Sequence, residues 1–347
     1  MRKNEIPASW GPPQSWQSVT TVEAHTGGEP LRVITSGLPE IPGDTILAKR
    51  RFAQENLDHL RTGLMWEPRG HPDMYGAILT DPVTPDGDLG VLFLHNEGFS
   101  TMCGHGVIAL TKVVLDTGMV EKAGENPVIR MDTPAGRVTA TARRREGVVS
   151  EVSFQNVPSF VYLADYEVEV PGIGRVEVDL AFGGAFYAFC DANRFSVDLS
   201  GENHNQLIDL GRRVKHAVAQ NLEIKHPFEE DLGFLYGTII VGPANDPAHH
   251  SRNVCVFADG EVDRSPTGTG VSARSAIHHS RGELEVGQPI TIESILGTCM
   301  TVRVEEVTRF GPFPAVIPSV TGSASITGSN TFYFDPEDPL RAGFMLR

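Results

Sequence analysis

The sequence predicts an α/β protein of the α+β type, built from two pseudo-symmetric β-rich domains that each surround one central helix. Three features predict this fold: the length of 347 residues, the many short β-like runs, and two similar glycine-rich helix starts near positions 103 and 267. A chain of this length is longer than a single compact core usually is, so two domains are expected.

Short β-rich runs separated by glycine, proline, asparagine and aspartate make up most of the chain, a pattern typical of strands joined by turns. The stretch from Val176 to Leu180 alternates apolar and charged residues, as a half-buried strand does. The predicted strands cover residues 89–95, 137–142, 167–170, 175–180, 237–241 and 289–292.

Two segments between these strands predict ordinary helices. Residues 205–222 carry apolar side chains at spacings of three and four, which gives one apolar helix face: Leu207, Leu210, Val214, Val218 and Leu222. Residues 48–63 predict a second helix that ends at a glycine cap.

Two further helices begin and end alike. Cys103-Gly104-His105-Gly106 opens an apolar segment that extends to Gly118, and Thr267-Gly268-Thr269-Gly270 opens a segment of the same length that extends to Gly282. Each segment predicts a glycine-rich turn, a helix of about four turns and a terminal glycine. The first helix is apolar nearly all round, so we expect it to be buried.

A glycine pair also precedes each of these helices, Gly27-Gly28 before the first and Gly183-Gly184 before the second. The matches indicate an internal duplication with a period near half the chain; chance similarity between two glycine-containing helix starts is the alternative. The predicted N-terminal domain comprises residues 1–162 and 322–347, and the predicted C-terminal domain comprises residues 163–321.

Charge and hydropathy argue against two classes of partner. The formal net charge of -15 argues against nucleic acid, because phosphate binding relies on clustered lysine and arginine. The basic run at residues 143–145 is expected to be a solvated hairpin turn. No stretch reaches the ~20 consecutive apolar residues that span a bilayer. Residues 1–17 lack the apolar core of a signal peptide, so a cytoplasmic location is expected.

The four cysteines lie far apart and form no CxxC pair, so neither a disulfide framework nor a zinc site is expected. Cys190, Cys255 and Cys299 lie in or near apolar β-like runs and are expected to be buried, inert thiols. The histidine pairs at 249–250 and 278–279 are poor chelators, because adjacent residues point in different directions. No metal site is therefore predicted.

The two glycine-rich helix starts are suited to binding a carboxylate. A helix N-terminus has unpaired backbone N–H groups and a partial positive charge, and glycine lets a ligand approach the backbone closely. If the two starts face each other, one small amino-acid carboxylate can accept hydrogen bonds from both. The expected donors are the N–H groups of Gly104 and His105 in one half and of Gly268 and Thr269 in the other.

Cys103 occupies the first position of the first helix start. The field of the helix N-terminus is expected to lower the pKa of its thiol. A thiolate there can remove the α-proton of a bound amino acid, provided that donors stabilise the developing carbanion and water is kept out. The alternative is a structural cysteine, which is the more common role of a free cysteine before a helix.

The longest motifs are Met102-Cys103-Gly104-His105-Gly106 and Asp263-Arg264-Ser265-Pro266-Thr267-Gly268-Thr269-Gly270. Further motifs lie at residues 25–30, 67–71, 183–187, 251–254, 326–328 and 335–339. Together they resemble the motifs of the proline racemase family, which also includes 4-hydroxyproline epimerases and trans-3-hydroxy-L-proline dehydratases. The resemblance covers nearly the whole chain from about Val19 onward.

This resemblance implies the two-domain pseudo-symmetric fold shared with diaminopimelate epimerase, with the chemistry between the domains and without pyridoxal phosphate or a metal. It implies that Asp263, with help from His105, holds the ring ammonium of a small imino-acid substrate; a helix-cap or turn role is the alternative for Asp263. Tyr75 and Phe257 match aromatic residues that lie against the ring, with plain core packing as the alternative. A homodimer, common in the family, is one expectation for the assembly.

The chain departs from the racemases and epimerases of the family at one position. Those enzymes have a cysteine at both helix starts, whereas this chain has Cys103 at the first and Thr267 at the second. A threonine hydroxyl has too high a pKa to act as the second base or as an efficient acid at neutral pH. Two-base inversion of the α-carbon is therefore expected to fail.

One base is sufficient for β-elimination, and the Cys103–Thr267 pair resembles that of the dehydratase branch. The prediction is dehydration of trans-3-hydroxy-L-proline to Δ1-pyrroline-2-carboxylate, with Cys103 as the base and Thr267 assisting the departing hydroxyl directly or through water. The alternatives are a proline racemase or 4-hydroxyproline epimerase that tolerates threonine through bound water, and a non-catalytic hydroxyproline-binding protein.

Overall fold

The computed structural model describes residues 10–346. Residues 1–9 and Arg347 lie outside the described residues, and so does this part of the segment in which no signal peptide is expected. Residues 10–346 form five α-helices: α1 (Ile46–Asn56), α2 (Asp58–Met65), α3 (Gly104–Asp116), α4 (His204–Asn221) and α5 (Gly268–Ser280). Short 3-10 helices span Ala192–Arg194, Gly201–Asn203 and Glu230–Leu232. None of the described helices is both long and apolar enough to cross a membrane.

The same residues form 18 strands. The first nine are β1 (Gln17–Thr26), β2 (Glu29–Ser36), β3 (Tyr75–Thr80), β4 (Leu89–His95), β5 (Gly98–Phe99), β6 (Val128–Thr133), β7 (Gly136–Arg145), β8 (Val148–Gln155) and β9 (Ser159–Val170). The others are β10 (Gly174–Phe182), β11 (Phe186–Asp191), β12 (Leu235–Gly242), β13 (Ser251–Phe257), β14 (Glu261–Asp263), β15 (Pro289–Glu293), β16 (Cys299–Phe310), β17 (Phe313–Gly322) and β18 (Ala324–Phe334).

The strands pair in the same way in two halves of the chain. In the first half the order is β18-β1-β2-β3-β4-β6-β7-β8, antiparallel except for β2–β3 and β4–β6, with the short β5 beside β4. In the second half the order is β9-β10-β11-β12-β13-β15-β16-β17, antiparallel except for β11–β12 and β13–β15, with the short β14 beside β13. β17 also pairs with β9, which closes the second sheet, and with β8, which joins the halves.

This repeated order of parallel and antiparallel pairs is the structural form of the internal duplication. Each parallel step needs a crossover, and helices supply it at matching places: α1 and α2 after β2, α4 after β11, α3 before β6 and α5 before β15. The predicted fold class, two pseudo-symmetric β-rich units around central helices, is confirmed. The proposed boundary at 162/163 lies inside β9 and the boundary at 321/322 lies at the end of β17; the domain assignment stays a prediction.

α3 and α5 fill the interiors of the two sheets. α3 contacts β1, β2, β7, β8 and β18, and α5 contacts β9, β10, β16 and β17. All residues of α3 from Gly104 to Leu115 are buried, as its apolar sequence predicted, and so are those of α5 from Gly268 to Ile277. Burial stabilises the fold by roughly 1.5–3 kcal/mol for each large apolar side chain, so these helices anchor their halves.

The prediction of one continuous helix at residues 48–63 is wrong, because the structure has two helices there. The chain leaves helical geometry at Leu57, where φ is -119° and ψ is 9°, and this separates α1 from α2. Gly63 lies inside α2 instead of capping it. A Cβ atom built on Gly63 would lie 2.6 Å from the Phe334 ring, so close packing explains this glycine.

Two other local expectations also differ from the structure. Residues 143–145 end β7, and the turn is formed by Glu146 and Gly147, both with positive φ, which matches the twist of a two-residue hairpin. Cys299 is exposed, because it follows the surface turn at residues 295–297, whereas Cys190 and Cys255 are buried as expected.

The N-terminal ends of α3 and α5 meet where the two halves join. A Cβ atom built on Gly104 would lie 2.5 Å from Cα of Gly268, and one built on Gly268 would lie 2.7 Å from Cα of Gly104. Both distances are far below normal carbon–carbon contact. Glycine is therefore required at both positions for the helix starts to touch.

Gly268→Ala is expected to force the two helix starts apart, because the atoms in the way are backbone atoms of Gly104 that cannot rotate aside. Overpacking of this kind lowers the free energy of unfolding by about 1–3 kcal/mol, which denaturant titration can measure. Gly201→Ala is the matched control, since a Cβ atom there meets nothing within 4 Å. Equal stability of Gly268→Ala and wild type would contradict this contact.

Candidate active site

A small cavity lies where the two helix starts meet, and both halves contribute to its walls. It is nearly closed: its volume is about 20 Å³, room for roughly one water molecule and far below the ~300–1,000 Å³ of an open ligand pocket. All nine site residues predicted from the sequence line it: Tyr75, Cys103, Gly104, His105, Phe257, Asp263, Thr267, Gly268 and Thr269. The other lining residues are Met102, Tyr187, Tyr236 and Cys255.

Cys103 caps the N-terminus of α3. Its extended backbone lets Sγ accept a hydrogen bond from the N–H of Gly106 at 3.2 Å. Sγ also lies 3.2 Å from Nδ1 of His105. The thiol is thus buried between the helix N-terminus and the imidazole of His105. The thiol and the imidazole are close enough to exchange a proton.

The expectation that the helix field lowers the pKa of Cys103 is wrong for this cavity. Burial raises the pKa of the Cys103 thiol well above its ordinary value, and this outweighs the lowering by the N–H of Gly106. The negative charge of Asp263 raises the pKa further. The reason is desolvation: a thiolate loses its hydration in a closed cavity, and one helix N-terminus does not replace it.

His105 is held in place at two points. Its backbone carbonyl accepts a hydrogen bond from Thr26 Oγ1 at 2.9 Å, and its ring interacts with the backbone carbonyl of Pro30. Burial lowers the pKa of His105, although Asp263 and the Pro30 carbonyl oppose this effect. A neutral imidazole beside Cys103 is therefore favoured at neutral pH, and a neutral imidazole can accept the thiol proton.

Thr267 is the counterpart of Cys103 at the start of α5, but its geometry differs. Its φ is +69°, whereas that of Cys103 is -143°, and its side chain makes no hydrogen bond to cap the helix. Positive φ is unusual for a β-branched residue. The two residues thus occupy equivalent positions at the two helix starts, but they differ in backbone conformation and in side-chain chemistry.

Asp263 ends β14 and lines the cavity, and it is 5% exposed. Its Oδ1 accepts a hydrogen bond from the N–H of Ser265 at 2.7 Å, so it also serves as a turn residue. Glu29 of the first half supports the next residue: its Oε2 accepts the Arg264 N–H at 2.7 Å. Burial, aided by Asp263, raises the pKa of Glu29 well above its ordinary value.

Aromatic side chains cover the rest of the cavity wall. The Tyr75 hydroxyl donates to Ser100 Oγ at 2.7 Å, and its ring meets the His105 ring edge-on at a centroid distance of 4.8 Å. Phe257 stacks on Tyr236, with centroids 5.4 Å apart. The structure places Tyr75 and Phe257 beside the cavity, and their contact with a substrate stays a prediction.

Four lining residues received no site role from the sequence. Met102 and Tyr187 lie within recognised motifs, and Tyr187 is hydrogen-bonded to Thr269, with 2.7 Å between the hydroxyl oxygens. Tyr236 carries no local signal. Cys255 had one: it lies in an apolar β-like run and precedes Phe257 by two residues, and residues two apart on a strand share a face.

The adjacent histidines do not converge on a metal site. His249 pairs with Glu293, and His278 pairs with Glu283. The ring of His250 meets Ser251, and that of His279 meets the carbonyl of Leu284. Among residues 10–346, no group of three or more His, Cys, Asp or Glu side chains is arranged to hold a metal ion.

The chain is similar to characterised proteins over nearly its whole length. The family model for proline racemase matches residues 21–345. A trans-3-hydroxy-L-proline dehydratase of Colwellia psychrerythraea is 50% identical over 334 residues, which cover 96% of this chain and 94% of that protein. A 3-hydroxyproline 2-epimerase of Burkholderia multivorans is 44% identical over 331 residues, which cover 95% of this chain and 99% of that protein.

The fold is also found among solved structures. The crystal structure of a hydroxyproline epimerase of Agrobacterium vitis with bound trans-4-hydroxy-L-proline superimposes with a TM-score of 0.91. The two chains are 30% identical, and the match covers 95% of this chain and 96% of the epimerase. The family match, the sequence identities and the shared fold show that this chain belongs to the proline racemase family.

Proposed function

We propose that this chain dehydrates trans-3-hydroxy-L-proline to Δ1-pyrroline-2-carboxylate. The observation that carries the proposal is the difference between the two helix starts, where Cys103 brings a thiol to the cavity and Thr267 brings a hydroxyl. One base removes the α-proton but does not supply a proton to the opposite face, and β-elimination needs no more. The 50% identity to the Colwellia psychrerythraea dehydratase supports this choice.

The stereochemistry of this substrate puts both bond-breaking events on one face of the ring. In the trans isomer the 3-hydroxyl lies opposite the carboxylate and therefore on the same face as the α-proton. The base that reaches the α-proton is thus also on the side of the leaving group. Cys103 Sγ and His105 Nδ1 are 3.2 Å apart. We therefore propose that His105 assists the departing hydroxyl, in place of Thr267, which the sequence predicted for this role.

The protons balance within this pair of residues. Cys103 gives its thiol proton to His105, and the resulting thiolate takes the α-proton. The C3–O bond breaks as the C2–C3 double bond forms, and the imidazolium gives its proton to the departing hydroxyl, which leaves as water. The enamine tautomerises to Δ1-pyrroline-2-carboxylate. Cys103 and His105 are then back in their starting forms.

The same cavity suits the charges of the substrate. We assign the carboxylate to the N–H groups of Gly104 and His105 on α3 and of Gly268 and Thr269 on α5, where both helix dipoles favour an anion. The ring ammonium is assigned to Asp263. As the α-proton leaves, negative charge moves toward the carboxylate, and these N–H groups stabilise it.

Three further assignments belong to this proposal. The reaction uses only groups of this chain, so we propose that it needs no cofactor. We propose a cytoplasmic enzyme, in keeping with its acidic composition and small-molecule substrate. A homodimer is proposed from the resemblance to the family.

A second candidate function is 2-epimerisation of 3-hydroxyproline, because the Burkholderia multivorans protein of that name is 44% identical. That reaction needs a proton donor on the second face. A non-catalytic hydroxyproline-binding protein is the remaining candidate, although a binder has no need of the buried Cys103–His105 pair.

Product analysis distinguishes the two reactions. Wild type is expected to form pyrroline product from trans-3-hydroxy-L-proline and not to racemise L-proline. Thr267→Cys is expected to gain inversion at the α-carbon, because a thiol can donate a proton from the second face. Chiral chromatography with trans-3-hydroxy-L-proline, L-proline and D-proline side by side measures both. Efficient racemisation by wild type without loss of water would refute the dehydratase proposal.

Cys103→Ser tests the base. Its kcat is expected to fall by roughly 10²–10⁴-fold, because a hydroxyl does not give up its proton to His105 at neutral pH. Calorimetry is expected to show retained substrate binding. Cys299→Ser, at an exposed cysteine outside the cavity, is the control and should keep wild-type turnover. Binding without turnover in both wild type and Cys103→Ser would favour a binding protein.

The pH dependence of kcat/KM follows from the protonation states of Cys103 and His105. His105 must be neutral to accept the thiol proton, and burial lowers its pKa from the ordinary value of about 6.5. Activity should therefore hold at neutral pH and fall only as the pH drops below about 6.5, when His105 becomes protonated. An acidic limb centred above pH 7 would disagree with this assignment.

A further inference from the structure

A buried polar network lies behind the start of α5. Asn253 on β13 is fully buried, and its Nδ2 donates a hydrogen bond to the backbone carbonyl of Pro266 at 3.1 Å. Its Oδ1 accepts a hydrogen bond from Nη1 of Arg274 on α5 at 2.9 Å. The same nitrogen donates to Ser251 Oγ at 2.7 Å. The network thus connects the interior of α5 to the residue just before Thr267.

Arg274 determines which way the Asn253 amide faces. A guanidinium has only donors, so Asn253 must present its oxygen to Arg274, and its NH2 group then faces the Pro266 carbonyl. Arg274 is 5% exposed, and its Nη2 lies 3.1 Å from Nε2 of His278. A buried charge is costly unless hydrogen bonds compensate for the lost water. The bonds that compensate Arg274 are also those that orient the amide.

The first half has apolar residues at the equivalent positions. β4 and β13 have the same length and the same parallel neighbour in the two sheets, so Val91 corresponds to Asn253. α3 and α5 each have 13 residues, so Leu110 corresponds to Arg274. Val91 and Leu110 are fully buried in the hydrophobic core. The network therefore belongs to the half that carries Thr267.

The peptide bond between Pro266 and Thr267 is held at both ends. Its carbonyl accepts the hydrogen bond from Asn253, and its N–H donates to Ser265 Oγ at 3.1 Å. Rotation of this peptide plane would change φ of Thr267, which is +69°, a value that is unusual for a β-branched residue. Such a conformation persists only where the surroundings enforce it. The two hydrogen bonds hold the peptide in the orientation that this φ requires.

We propose that Asn253, oriented by Arg274, is a positioning residue for binding of the substrate carboxylate. By holding the 266–267 peptide it determines the direction in which α5 begins, and hence where the N–H groups of Gly268 and Thr269 point. The asparagine does not line the cavity and acts only through the backbone. This inference rests on the proposed function, in which those N–H groups bind the carboxylate.

Asn253→Asp tests the inference and keeps a partner for Arg274. The carboxylate still accepts from the guanidinium, but it replaces the donor to the Pro266 carbonyl with a second acceptor. The denaturation midpoint is expected to stay at the wild-type value. The kcat/KM for trans-3-hydroxy-L-proline is expected to fall at least about tenfold, because a displacement of about 1 Å in a site can cost up to about 100-fold.

Binding of L-proline gives a second measurement, because this ligand has the same carboxylate and ring nitrogen but no 3-hydroxyl. Its dissociation constant, measured by calorimetry, is expected to rise at least about tenfold in Asn253→Asp, as loss of one hydrogen bond to a charged group predicts. A role in folding alone would lower the denaturation midpoint and leave this constant at the wild-type value.

Two further variants separate positioning from the change in charge. Asn193→Asp makes the same substitution at an exposed position of the second half and should keep wild-type kinetics and binding. Ser265→Ala releases the other end of the peptide and should cause a similar loss. When Asn253→Asp and Ser265→Ala are combined, the losses should not add, because both act on one peptide bond.

Wild-type kcat/KM and L-proline affinity in folded Asn253→Asp would overturn the inference, and so would losses that add fully in the double variant. If Asn253→Asp does not fold, Ser265→Ala tests the same peptide, and a wild-type dissociation constant for L-proline would then overturn the inference. Failure of wild type to form any pyrroline product would instead overturn the proposed function, so the two failures are distinguishable.

Discussion

The contact between Gly104 and Gly268 is the constraint on which the site depends. With no side chain between them, the positive ends of α3 and α5 converge on one small, nearly closed cavity. Two positive helix ends at close range repel each other, and an anion between them relieves this repulsion. The two closely packed halves hold the helices in place, as the proposed carboxylate site requires.

Desolvation then decides the protonation of the groups beside that site. It raises the pKa of Cys103 and lowers that of His105, so both are favoured in their neutral forms before substrate arrives. A bound zwitterion adds a carboxylate and an ammonium to the same small volume. In the proposed reaction, the base is formed by proton transfer over 3.2 Å within the cavity and not by exchange with solvent.

The pseudo-symmetric fold accommodates an asymmetric reaction because the two helix starts carry different side chains in matching places. Cys103 brings a thiol to the cavity and Thr267 brings a hydroxyl, and the Thr267 backbone has a positive φ that Cys103 lacks. The same fold occurs in a protein named for a different reaction, since the TM-score to a hydroxyproline epimerase is 0.91.

The sequence by itself determined the duplication and both central helices, because glycine spacing and apolar periodicity are local properties. Among the nine predicted lining residues, Asp263, Tyr75 and Phe257 came from the resemblance to the proline racemase family. The sequence did not determine the break at Leu57 or the exposure of Cys299, which depend on how α2 packs and where the turn at 295–297 reaches the surface. It also misjudged the pKa of Cys103. A helix N-terminus is visible in sequence, whereas the burial that outweighs its field arises only when two halves close around the thiol.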